Sequence, residues 1–270
     1  GVHYGTTVAY STAEWYVADR WSKLTNSGEN DWGDLQAFVE TMHQASGASY
    51  YDQVSAVIDM EQWIKWFAGM VLLNSYETNL SNGIDDDYCI YRGFSGGRFK
   101  LIPHDLDTIF GEGDTSSNPN DTIFPSLVSS IPRPVEDGRF PQLVTFFEHP
   151  EIRRQFFAAV RALLENEFSK ARFDAHLQNH LGDWVTQEDL DAVISYMDQR
   201  RTFLSNIVNA PLSVSHSLPV VGGFPRATTA SVDLSGSLDL ISTDTVLVNG
   251  QAALLDAVDG AWSLAGVGLF

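Results

Sequence analysis

An α+β fold follows from three features of the 270-residue chain. Apolar residues recur at helical spacing through much of residues 31–210, a hairpin pattern interrupts those helices, and short alternating strands take over after Ala210. The expected architecture is a mainly helical lobe with a β-hairpin at its site, then a small β-rich C-terminal module. With 44% hydrophobic residues, among them 16 Phe, 9 Tyr and 7 Trp, a sizeable core is assured. This length suits one domain with an appendage or two small domains.

The elements read as follows. Residues 1–30 mix aromatic and polar residues, giving a short strand or two and a turn at 26–28. Asn30 or Asp31 caps a helix running to about Gln44, with Leu35, Phe38, Val39 and Met42 as its stripe. GASYYD reads as a linker. Asp59 is the N-cap of MEQWIKWFAGMVLLNSY, whose Trp63, Trp66, Phe67, Met70 and Val71 mark a central core helix. The loop ETNLSNGIDDD leads into YCIYRG and GRFKLIP, two strands flanking the turn FSGG. A polar loop spans about 112–122. Helices resume at about 140–147, 150–167, 169–177 and 186–207, the last opened by TQED with a capping box between Thr186 and Asp189. Residues 211–270 hold no Lys and one Arg, Arg226, and SVDLSGSLDL, TDTVLVNG and WSLAGVGLF read as strands. The chain ends in an apolar run, so this module is expected to be incomplete.

Charge narrows the partners. Lys and Arg number 16 against 35 Asp and Glu, a formal net of -19, which argues against nucleic acid or an anionic membrane. A phosphate ligand stays open, because a bound divalent cation inverts the local field. The longest apolar run, near WFAGMVLL, falls well short of a membrane span, so no membrane insertion is expected. The single cysteine, Cys89, excludes an intramolecular disulfide framework and reads as a buried strand thiol.

The chemistry concentrates in RFKLIPHDLDTIFGEG, residues 98–113. Asp105 and Asp107 share a face if the strand runs through them and diverge if it turns. Mg²⁺ takes hard oxygen ligands, commonly one or two carboxylates with substrate phosphates. By itself the pair is either a solvated turn or a mount for a divalent cation, and spacing does not choose. A calcium loop starting at Asp105 fails at its fifth position, Ile109. Asp85, Asp86 and Asp87 precede the first hairpin strand, and an antiparallel pair can bring Asp87 near Asp105. Such like charges repel unless a cation joins them. The bland alternative is an acidic loop. His176 and His180 share a helix face, yet no HExxH motif is present.

The stretch through YCIYRGFSGGRFKLIPHDLDTIFG resembles the spore coat protein H (CotH) kinase-like family, whose fold is that of an atypical protein kinase. KLTNSGENDWGDLQAF resembles the segment between that family's lobes. The likeness covers about residues 20–207 and is strongest over 77–111. It implies a large lobe over 31–210, a remnant of the small lobe and linker over 1–30, and the β module over 211–270. It also implies ATP and Mg²⁺ or Mn²⁺ as cofactors, transfer of the γ-phosphoryl group to protein Ser/Thr hydroxyls, and an extracellular or cell-surface setting. Asp105 takes the place of the metal-binding aspartate, Asp107 that of a second ligand or an orienting group, and Asp87 that of a metal-coordinating Asn. His104 stands where relatives carry Trp or Tyr, which implies either a contact with nucleotide or a structural role. Relatives carry a base five residues before the Asn, which here is Asn82. Asn82 can position metal or phosphate but cannot take a proton, so the base falls to Glu77, the nearest upstream acid, or else to Asp85 or Asp86. No glycine-rich nucleotide loop and no strand lysine precede Lys23. The protein acceptor and the oligomeric state are not implied. The alternative is a pseudokinase-like surface or scaffold protein.

Overall fold

In a computed structural model of the chain, the structure describes residues 23–75, 88–93, 97–113, 118–121, 141–256 and 260–269. Seven helices and several small antiparallel sheets form a mixed helix and sheet fold among these residues, in keeping with the α+β expectation. The turn at 26–28 is present, with Asn26 at φ 54° and its carbonyl accepting from Glu29 N at 3.0 Å.

Helix α1 (Gly33–Gln44) buries Leu35, Phe38 and Met42 of the predicted stripe, and Val39 is half-buried. Its N-cap is Trp32 rather than Asn30 or Asp31, although Asp31 Oδ1 still accepts from the Gly33 amide at 3.0 Å. The expected linker GASYYD is instead a 3₁₀ turn, Gly47–Ser49, running into helix α2 (Tyr50–Val57). Tyr50 and Val54, one helical turn apart, are both in the core, and their burial outweighs the glycine and serine signals.

Helix α3 (Met60–Leu73) occupies the centre. Asp59 caps it, accepting from Gln62 N at 3.3 Å, and all of Trp63, Trp66, Phe67, Met70 and Val71 are buried. Burial of each such side chain contributes on the order of 1.5–3 kcal/mol. The helix stops at Leu73, short of the expected end at Tyr76, because Asn74 adopts the left-handed conformation (φ 51°) and closes the helix with its own N–H.

Strands β1 (Tyr88–Tyr91) and β2 (Lys100–Pro103) form the expected antiparallel hairpin, with Tyr88 opposite Pro103 and Tyr91 opposite Lys100. Cys89 lies in β1 but is only half-buried, because it pairs with exposed Ile102 on the face turned away from the core. Helices α4 (Pro141–Glu148), α5 (Pro150–Glu165), α6 (Lys170–Leu181) and α7 (Gln187–Val208) follow. The capping box at Thr186 and Asp189 is formed from both sides. Phe67 meets Phe146 and Phe147 at centroid distances of 5.9 and 4.9 Å, which ties α3 to α4.

Beyond residue 210, strands β3 (Ser215–His216), β6 (Ser231–Ser237), β10 (Ala261–Gly268) and β9 (Leu254–Asp256) make a four-stranded antiparallel sheet in that order. Between them lie two small hairpins, β4 (Val220–Val221) with β5 (Phe224–Pro225) and β7 (Leu247–Val248) with β8 (Gln251–Ala252). The second turns through Asn249 and Gly250 at φ 53° and 80°, the paired left-handed residues a two-residue hairpin loop needs. Leu238, Leu240 and Trp262 join the same hydrophobic cluster as α3 and α5. The β-rich segment and the helices thus share one core.

Candidate active site

Strand β2 is held on both edges. β1 pairs with one. On the other, Phe99 N donates to Val57 O at 2.8 Å, and Phe99 O accepts from Asp59 N at 2.9 Å and Trp63 Nε1 at 2.8 Å. Two residues further on, Gln62 replaces a missing strand with its side-chain amide. Its Nε2 donates to Leu101 O at 2.7 Å, and its Oε1 accepts from Leu101 N at 3.0 Å. The first turn of α3 therefore fixes the strand that leads into the acidic pair.

The strand ends at Pro103. Asp105 then takes φ 48°, a left-handed conformation that Asp tolerates better than most residues. The chain turns, so Asp105 and Asp107 are not successive outward positions of one strand. His104, Asp105, Leu106 and Asp107 are all exposed. Neither the Asp105 nor the Asp107 carboxylate has a hydrogen-bond or ion-pair partner among the described residues. After the acidic pair the chain dives inward. Thr108 is fully buried, and Phe110 N donates to Leu73 O at the end of α3 at 3.1 Å. Phe110 (φ 60°) and Gly111 (φ 81°) reverse the chain, and the Phe110 ring stands edge-on to Phe173 and Tyr196 at 5.9 and 6.4 Å. Gly113 closes the turn: a Cβ there would come within 2.6 Å of Asp107 O.

Helix α7 supplies the support behind this turn. Arg200, 1% exposed, donates to Val71 O through Nε (3.0 Å) and Nη2 (2.8 Å) and through Nη1 to Pro119 O (3.0 Å) and Asp121 O (2.6 Å). Burial pulls its pKa down to about 10, which leaves it charged at neutral pH. Asn74 Nδ2 donates to Asn118 O at 2.8 Å and to Tyr196 Oη at 2.7 Å. Sequence reasoning missed Gln62, Asn74, Tyr196 and Arg200. Two of them left a signal. Arg200 lies on the buried stripe of Met197, Leu204 and Val208, where a charge is out of place, and Asn74 follows an apolar helix as a left-handed cap commonly does.

Of the predicted site residues, the structure brings His104, Asp105 and Asp107 to the open end of the hairpin. Glu77, Asn82 and Asp87 lie outside the described residues. Among the described residues no group of three or more His, Cys, Asp and Glu is placed to hold a metal ion. His176 and His180 do share a face, their rings stacked at 5.8 Å. No helix among the described residues is long and apolar enough to cross a membrane.

The model of the CotH kinase protein family matches residues 10–184, well over half of the chain. The chain belongs to that family of kinase-like proteins. Inner spore coat protein H of Bacillus subtilis (strain 168) is 28% identical over 91 residues, a stretch that is 34% of this chain and 24% of that protein. The aligned stretch thus covers well under half of either protein.

Proposed function

We propose that the chain is the large-lobe portion of a CotH-like atypical protein kinase that transfers the ATP γ-phosphoryl group to Ser/Thr hydroxyls of a protein acceptor. In this reading residues 1–30 belong to the small lobe and linker, 31–210 form the kinase-like lobe and 211–270 form an attached β module. The observation that carries it is the turn after β2. A strand braced on both edges delivers two exposed carboxylates, without protein partners among the described residues, at the segment where the family resemblance is strongest.

The donor set suits Mg²⁺ or Mn²⁺, since both side chains offer hard oxygen and neither is committed to another cation. Asp105 is the principal ligand, with Asp107 and Asp87 assisting. Asp87 is assigned to this set from the family resemblance, on its place in the sequence directly before Tyr88. A bound divalent cation neutralises charge on the phosphate oxygens. His104 and Asn82 serve the nucleotide, and Glu77 accepts the proton of the attacking hydroxyl. The name of the Bacillus relative places that protein in the spore coat, which supports an extracellular or surface setting here.

The test is Mg²⁺- or Mn²⁺-dependent transfer from γ-labelled ATP to the protein itself or to casein, in the full-length protein. Asp105→Asn is expected to abolish transfer, and Glu77→Gln to reduce kcat at least a hundredfold with ATP binding retained. Loss with Asp105→Asn alone would move the base to another residue. A folded full-length protein that neither binds ATP nor transfers label would overturn the kinase reading in favour of a scaffold.

A further inference from the structure

Arg200 is an expensive residue to keep inside the core. Its guanidinium is desolvated, and among the described residues the groups it bonds are backbone carbonyls, with the Asp121 carboxylate acting on its charge only through space. An apolar side chain of similar volume often serves stability as well or better at such a place. What the guanidinium does that an apolar chain cannot is join separate stretches of backbone in one fixed geometry.

Those stretches surround the acidic turn. Val71 O is among the last carbonyls of α3, where the Asn74 cap N–H reaches it at a long 3.2 Å and leaves room for further donors. Both Nε and Nη2 converge on it, at the negative end of the helix dipole. Nη1 holds the 118–121 loop, which also closes on itself through Asp121 N to Asn118 O at 2.9 Å. Asn74, one residue past the end of α3, reaches the same loop and Tyr196. Leu73 O then receives the Phe110 amide, and the Phe110 ring rests against Tyr196, one helical turn before Arg200. The end of α3, the 118–121 loop and α7 therefore meet at one guanidinium, and the segment following Asp105 and Asp107 hangs from that junction.

We infer that Arg200 is a positioning residue for the acidic turn: its fork locks the C-terminal end of α3 so that the Phe110 amide is held and the two carboxylates are presented in a single arrangement. The role in catalysis rests on the kinase reading above, whereas the mechanical part does not.

Arg200→Lys keeps the charge and loses the fork, and Tyr196→Phe, a milder change, removes only the hydroxyl that Asn74 meets. Hydrogen exchange at the Phe110 amide is read in the full-length protein beside wild type, with thermal unfolding as the check on folding. Arg200→Lys is expected to speed exchange at Phe110 at least tenfold while amides at the centre of α5 stay protected, and Tyr196→Phe to do so several-fold. In the transfer assay, Arg200→Lys is expected to raise the Mg²⁺ concentration needed for half-maximal rate about tenfold, with excess Mg²⁺ restoring the rate. A merely structural defect lowers the active fraction and is not rescued by metal. Phe110 exchange unchanged within twofold in a folded Arg200→Lys protein overturns the inference. So does a lowered rate that excess Mg²⁺ leaves lowered. If wild type transfers no phosphate, the kinase reading fails and the exchange result alone decides whether Arg200 positions the turn. Should Arg200→Lys not fold, Tyr196→Phe carries the test, and unaltered Phe110 exchange in it overturns the inference.

Discussion

Replacing Gln62 with leucine tests how the site is mounted. The side chain keeps its approximate volume but loses both contacts to Leu101, the donation to its carbonyl and the acceptance from its amide. These groups lie on the edge of β2 away from β1, and Leu101 is 1% exposed. Leaving one buried backbone group without a partner costs about 1–3 kcal/mol. Two such groups would bring about 2–6 kcal/mol, and because Gln62 is itself only half-buried, water can reach part of the site. The expected loss is therefore about 3 kcal/mol. Urea unfolding followed by tryptophan fluorescence gives this as a drop in the midpoint at unchanged slope. Exchange at the Leu101 amide localises the change. A loss below about 0.5 kcal/mol, with Leu101 still slow to exchange, would show that Gln62 does not brace β2 and would refute the reasoning.

Two further outcomes are expected. Asp105→Gly suits the φ of 48° better than aspartate does, so stability should stay level or rise by up to about 1 kcal/mol while metal-dependent transfer disappears. A thermal melt showing a loss beyond that size would give Asp105 a structural role instead. His149 packs on Tyr50 at 5.3 Å with a buried Nδ1 that has no hydrogen-bond partner among the described residues, and burial, helped by Arg154 and opposed by Glu151, holds its pKa below 6.5. As pH falls the unfolded chain takes up this proton first, so the contribution is present above 6.5 and is lost as pH falls through the folded value. Urea midpoints on either side of 6.5 should show that slope, flattened in His149→Gln, and an equal slope in both proteins would exclude His149 as its source.

Local signals were enough for much of this chain. The central helix was legible because Trp63, Phe67, Met70 and Val71 recur at helical spacing behind an Asp59 cap, and both signals act within a few residues. The hairpin was legible because two β-rich runs flank a glycine turn, and the capping box at Thr186 because its partners lie three residues apart. The linker reading of 47–52 failed for the opposite reason: burial of Tyr50 and Val54 depends on distant elements such as α4, whose neighbouring His149 packs on Tyr50. The acidic pair was visible as a pattern, but its setting was not.

By itself the sequence determined the family, the helices with strong periodicity and the pairing of two carboxylates just after the second hairpin strand, since these depend on residue type and short spacing. Tertiary structure decided how the acidic turn is held. Gln62 meets Leu101 across 39 residues and Arg200 meets Val71 across 129, and nothing local in either sequence neighbourhood names the partner. It also decided that Asp105 turns instead of extending the strand, because the Phe110 amide must reach Leu73 at the end of α3. A backbone polar group carried into the core has to find a partner, and only the folded chain determines which one.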